Sequence, residues 1–180
     1  MFGLFKKKDH GPTVTEKIVI AKDAKLEAML AYWKENPATV FIYWFDDDLA
    51  EAEFYFAAKN SGTVPLMIAR EMSSLKLSGN HPVFGEHYPL PAKEMELYER
   101  LGLSNVTVFS SLQEPLFKLF GADKIIQLMG SLGVKEDEVI EHKMISKSIR
   151  NAQEKIEKKV LVEHAARSQQ DWIEKNLPLE

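Results

Sequence analysis

Cysteine is absent from the 180-residue chain. Disulfide scaffolds, thiolate metal sites and cysteine nucleophiles are thereby excluded, and a reducing compartment fits. Long apolar runs are also lacking. The longest, Ala38 to Phe45, falls far short of the about 20 residues a helix needs to cross a bilayer. Cations are not in surplus: 27 acidic residues face 23 basic ones, for a net charge of -4. No excess positive charge is available to displace counterions from phosphates, so nucleic acid is not an expected partner. Repeats at periods of roughly 20 to 50 residues are missing too, which excludes solenoids and propellers. What is present is an ordinary globular composition, 45% hydrophobic and 28% charged, in a chain long enough to bury one core.

The opening Met1-Phe2-Gly3-Leu4-Phe5-Lys6-Lys7-Lys8 places its apolar residues before its cations, the reverse of a secretory signal. Phe2 to Lys8 could give at most weak peripheral contact with an anionic membrane surface. Otherwise it is a tail packed on the body. The cytoplasm is the expected location.

Periodicity then divides the chain. Thr13 to Ile20 contains a short alternating stretch. Leu26, Met29, Leu30 and Trp33 fall at three- and four-residue steps, so Ala24 to Trp33 reads as a helix, ended by Asn36-Pro37. Thr39 to Phe45 is β-branched and aromatic throughout, as expected of a strand buried on both faces. Asp46-Asp47-Asp48 suits the first turn of a following helix, which Asn60-Ser61-Gly62 closes. Val64 to Ala69 reads as a second strand, Ser78 to Pro91 as a loop, Lys93 to Leu101 as a helix and Val106 to Phe109 as a third strand. This alternation predicts an α/β fold, a mostly parallel sheet wrapped by helices.

From Leu112 onward strand signals stop. Pro115 to Met129 is helical, and a longer helical pattern runs from about Glu141 to Asn176. Its stripe of Ile145, Ile149, Ala152, Ile156 and Val160 is the candidate partner-binding face. An unbroken helix of this length would span roughly 50 Å, too long for the body to cover, so part of the stripe calls for a partner or a fold-back. The partner is expected to be another protein or a second copy of the chain. Three divisions follow: a tail over 1–12, an α/β domain over 13–120 and a helical arm over 121–180.

Val108-Phe109-Ser110-Ser111-Leu112-Gln113-Glu114-Pro115-Leu116-Phe117-Lys118-Leu119-Phe120 leads into Asp123-Lys124-Ile125-Ile126 and Met129-Gly130-Ser131-Leu132-Gly133-Val134. Glu138-Val139-Ile140-Glu141-His142 and Ile149-Arg150-Asn151-Ala152-Gln153-Glu154-Lys155-Ile156-Glu157 follow. This segment resembles the bacterial SecA preprotein-translocase motor, at the passage from the last strand of its second motor domain into its helical scaffold. The resemblance covers about residues 108–158. It implies that the α/β region is a small RecA-like or Rossmann-like unit, and that a translocase component is a candidate partner.

The resemblance does not extend to the motor's ATPase. Where the family carries an arginine- and glycine-rich motif, this chain reads Met95-Glu96-Leu97-Tyr98-Glu99-Arg100-Leu101-Gly102-Leu103. No G-x-x-x-x-G-K-[ST] run exists to cradle phosphates. A non-enzymatic interaction module with no cofactor is therefore the first expectation.

The alternative is a small enzyme or nucleotide-binding protein that handles Mg²⁺ or phosphate at the Asp46 to Asp48 strand end. Asp46 and Asp48 are the candidate metal ligands, since ligands gather at strand carboxyl ends. The D-x-D spacing is similar to that of haloacid dehalogenases, with Asp46 as nucleophile and Asp48 as acid/base, but their threonine-and-leucine continuation is missing. Helix capping is the ordinary role for such acids. His81, Glu86 and His87 share a loop and could ligate a metal, though their spacing matches no metal-binding pattern. Ser110 and Ser111 lack a nucleophile elbow. His142 and His164 read as structural or exposed. The aromatics Tyr43, Trp44, Phe45, Phe54, Tyr55 and Phe56 read mainly as core, with some available for docking.

Overall fold

The computed structural model describes residues 11–59, 62–141 and 143–177. Phe2 to Lys8 and His142, singled out above, lie outside them. Five strands form one sheet: β1 (Thr13–Val19), β2 (Thr39–Tyr43), β3 (Leu66–Ile68), β4 (His81–Phe84) and β5 (Asn105–Ser111), in the order β1-β5-β4-β2-β3. Every pairing between them is parallel, so the expected α/β class holds. All five residues of β2 are buried, as a continuous apolar run in a two-sided sheet requires.

Helices cover both faces. On one, α1 (Lys22–Glu35) and α2 (Asp46–Ala58) pack Leu26, Met29, Leu30, Ala52 and Phe56 on Phe41, Tyr43, Val83 and Phe109. On the other, α3 (Pro91–Arg100) sets Leu97 and Tyr98 on Val40, Ile42, Phe84, Val106 and Val108. Burying a large apolar side chain in such a layer contributes about 1.5–3 kcal/mol.

Strand β4 lies inside the stretch Ser78 to Pro91, which the sequence reads as a loop. Pro82 is the reason, because a proline in an internal strand removes a ladder donor. The register accommodates it. The His81 and Gly85 amides donate toward β2, to the Ala38 and Ile42 carbonyls at 2.8 and 2.9 Å. By alternation the Pro82 nitrogen faces β5, and that ladder begins only at Val83 opposite Thr107. Pro82 thus stands just before the β4–β5 ladder rather than inside it.

The C-terminal half departs further. Pro115 to Met129 is two helices, α4 (Pro115–Lys118) and α5 (Ala122–Ser131), separated at Gly121, whose φ of 76° favours glycine. The predicted helix over Glu141 to Asn176 is also two, α6 (Lys143–Glu157) and α7 (Gln169–Asn176). Two local features end and restart it. Val160 and Val162 are β-branched and weak helix formers. Ser168 then caps α7, its hydroxyl accepting from the Asp171 amide at 3.1 Å. The Asn176 side chain closes the turn on the His164 amide and carbonyl, at 2.6 and 3.0 Å.

The chain therefore folds back. α6 packs along β1 and α3, and α7 packs on α4. Ile149 joins Ile18, Ile20, Leu112 and Phe117 in one cluster, while Ile156 joins Phe45, Leu116, Trp172 and Ile173 in another. Among the described residues no helix is long and apolar enough to cross a membrane.

Candidate functional site

In this strand order the chain leaves β2 for β3 on one side and returns past it to β4 on the other. The carboxyl ends of β2 and β4 are thus the switch point where ligands of open α/β sheets bind. Here the crevice is filled from within. Gly85 lies so close to Tyr43 that a Cβ would fall 2.4 Å from the ring. The Glu86 carboxyl is buried and accepts from the Trp44 and Phe45 amides at 2.7 and 3.1 Å. Burial, reinforced by nearby Asp48, pushes Glu86 well above the usual carboxylate range. Behind it, buried Lys25 donates to Glu114 at 2.6 Å and to the Gly85 carbonyl at 2.7 Å.

The three aspartates occupy the first turn of α2, and each has a protein partner. Arg70 grips Asp46 through two bonds of 2.6 and 3.0 Å, and that hydrogen bonding holds the Asp46 carboxyl below its ordinary value. Arg167 pairs with Asp47 at 2.8 Å, and its carbonyl accepts from the Asp47 amide. Asp48 accepts from the Gln169 amide at 3.2 Å. Gln169 further bonds the His87 carbonyl and the Leu116 amide. The segment leading into α7 thus caps the strand ends, a contact hidden from sequence because its partners lie about 120 positions apart. Among the described residues no three histidine, aspartate or glutamate side chains converge as metal ligands.

His81, Glu86 and His87 do not come together. His81 is exposed on β4 and Glu86 faces the β2 end. His87 turns to the opposite helical layer. Its Nδ1 lies 2.9 Å from Glu94 on α3 and its Nε2 2.9 Å from Glu16 on β1. All three side chains are buried. Burial alone would lower the His87 pKa, but the two carboxylates outweigh it and hold the ring well above its ordinary value. Glu94 also accepts from the Tyr88 amide and from Gln153 of α6, at 2.8 and 3.1 Å. Sequence reasoning missed this cluster. Its only signal was a charged residue, Glu16, in the alternating stretch at the first strand.

Ser111 donates to the Ile20 carbonyl at 2.9 Å, and Ser110 is buried beside it. The backbone of exposed His164 is held by Asn176. Of the aromatics read mainly as core, Tyr43, Phe45 and Phe56 are buried, while Phe54 is 80% exposed.

The stripe on α6 splits. Ile149 and Ile156 are buried against the chain's own body, and Ile149 also lines the groove formed by its neighbours. Val160 packs partly against the α7 cluster. Ile145 and Ala152 wall an apolar groove of about 350 Å³, with Phe120, Ile125, Met129 and Ile140 opposite. Ile125 at its rim and neighbouring Leu128 and Leu132 are 40%, 60% and 72% exposed, an apolar face of α5 continued by the residue that follows it. Groups of that size left in water mark interaction surfaces.

No family model matches the chain. It is 53% identical over 49 residues to the protein translocase subunit SecA of Psychrobacter cryohalolentis, over 27% of this chain and 5% of that subunit. The SecA subunit of Acinetobacter baumannii is 36% identical over 87 residues, which cover 46% of this chain and 10% of the relative. The resemblance to SecA is therefore real but partial, reaching a tenth or less of these subunits' length.

Proposed function

We propose that the protein is a non-hydrolysing SecA-like module that binds a protein partner in the context of protein export. The observation that carries this reading is the apolar groove between α5 and α6, flanked by exposed Ile125, Leu128 and Leu132. An amphipathic helix or extended apolar segment suits such a groove. The lack of ATP turnover is supported by the missing phosphate-cradling loop and by a switch-point crevice filled with Tyr43, Glu86 and the approach to α7. The similarity to translocase subunits supports the export context.

Site-specific photo-crosslinking in the cell of origin tests the reading. A photoreactive residue at Leu128 is expected to yield a discrete protein adduct, while one at exposed Glu53 on α2 yields none. Equal adducts at both positions, or none at either, would count against the groove. Steady phosphate release from MgATP by the purified protein would count against the non-hydrolysing part.

A further inference from the structure

On the other side of α6 lies a second cavity, of about 410 Å³, between α3 and α6, within the size range of small-ligand sites. Ser146, Arg150 and Gln153 face it, whereas Ile145, Ser148 and Ala152 face the apolar groove. Its floor carries the Glu16, His87 and Glu94 cluster. Both ring nitrogens of His87 lie against carboxyl groups, so the floor gathers two acids, Glu16 and Glu94, around one imidazole. Glu16 spends one oxygen on His87, and among the described residues no hydrogen bond takes the other. Tyr98 lines the same cavity and is 1% exposed, yet its phenol oxygen has no hydrogen-bond partner. The cation at the mouth, Arg150, is turned to Glu154 at 3.4 Å, with nearly half its side chain in solvent.

We propose that this cavity binds a ligand through a positively charged nitrogen, an ammonium or guanidinium group that donates to Glu16 and to the Tyr98 phenol oxygen. The group supplies the N–H donors that the unpartnered Glu16 and Tyr98 oxygens lack. An anion would find Arg150 and Lys147 at the mouth but would meet two acidic side chains, Glu16 and Glu94, below. The site is independent of the groove and of the export reading.

Amide NMR titration of the full chain tests it, with agmatine, putrescine and a short arginine-containing peptide as probes and inorganic phosphate as control. A cationic probe is expected to shift the amides of Thr13 to Glu16 and Ser146 to Gln153 saturably, and more weakly at high salt. Glu16→Gln should weaken binding about 10-fold or more, as loss of a hydrogen bond to a charged group does, and Tyr98→Phe about 3- to 10-fold. Tyr98→Phe removes only an unpartnered hydroxyl, so it remains informative if Glu16→Gln does not fold. Saturation by the free amines points to a small metabolite, and saturation by the peptide alone to a basic protein segment. Either supports the site. No saturation by any cation, undiminished binding in Tyr98→Phe, or equal shifts with phosphate overturns it.

Discussion

His87 shows how much a single side chain can hold. It joins β1 through Glu16 and α3 through Glu94, and Glu94 in turn reaches α6 through Gln153. Replacing it with alanine would leave two buried carboxylates facing each other. His87→Ala is expected to cost about 3–5 kcal/mol, the scale seen when one partner of a buried ion pair is removed, read as a fall in the urea midpoint. The pH dependence has a definite sign. The folded pKa of His87 is raised well above its ordinary value, so its contribution is full below the unfolded pKa of about 6.5 and is lost as pH rises through the folded value. Glu86 acts in the same direction over a lower window. Its raised folded pKa means the native state keeps a proton that the unfolded chain releases above about 4.3. The contributions of these two groups to stability should therefore decline as pH rises, opposite in sign to that of Asp46, whose pKa is lowered. In Glu86→Gln the carbonyl oxygen can still accept from the Trp44 and Phe45 amides but nothing ionises, so urea melts across pH should show a flatter profile. At this scale the sequence was least legible. His81, Glu86 and His87 sit within seven positions of one another, yet the chain turns them to three different environments.

Elements were more legible, wherever one period ruled. The buried β2 run and the spacing in α1 need no tertiary knowledge, because hydrophobic pattern and structure agree there. The failures lie where a local signal misleads. Pro82 hides β4, since only the register shows that its missing donor faces an unpaired side. Val160 passes as helix because it continues the stripe's spacing, while the cap at Ser168 goes unnoticed among polar residues. Gly85 is the corresponding residue that the strand ends cannot spare. Its backbone meets the Tyr43 ring, and an added methyl would lie 2.4 to 2.8 Å from three ring atoms. Gly85→Ala is expected to cost about 1–3 kcal/mol through overpacking, measured by thermal or urea unfolding. Gly130→Ala is the control. Apart from its chain neighbours and its own helix backbone, nothing lies within 4 Å of the methyl it would add, and in a helix it should be neutral or stabilising by up to about 1 kcal/mol.

For the molecule as a whole, the question is whether the C-terminal segment is an arm or part of the body. The cluster around Trp172 draws Phe45 from the end of the β2 strand, Leu90 from the approach to α3, Leu116 from α4 and Ile156 from α6. Trp172 is fully buried there, its indole N–H donating to Glu163 at 2.9 Å. A side chain packed by so many separated segments should bind their unfolding together. Trp172→Ala is expected to cost about 3–5 kcal/mol, with far-UV circular dichroism and the fluorescence of Trp33 and Trp44 falling in one coincident transition. The contrary outcome is two transitions, helix content lost first and the environment of Trp44 retained to the wild-type midpoint. That would mean α7 detaches alone, leaving the strand ends near Asp47 and Asp48 open. One shared transition would instead make the fold-back part of the core, so that a partner at the α5–α6 groove meets a surface held rigid by the whole chain.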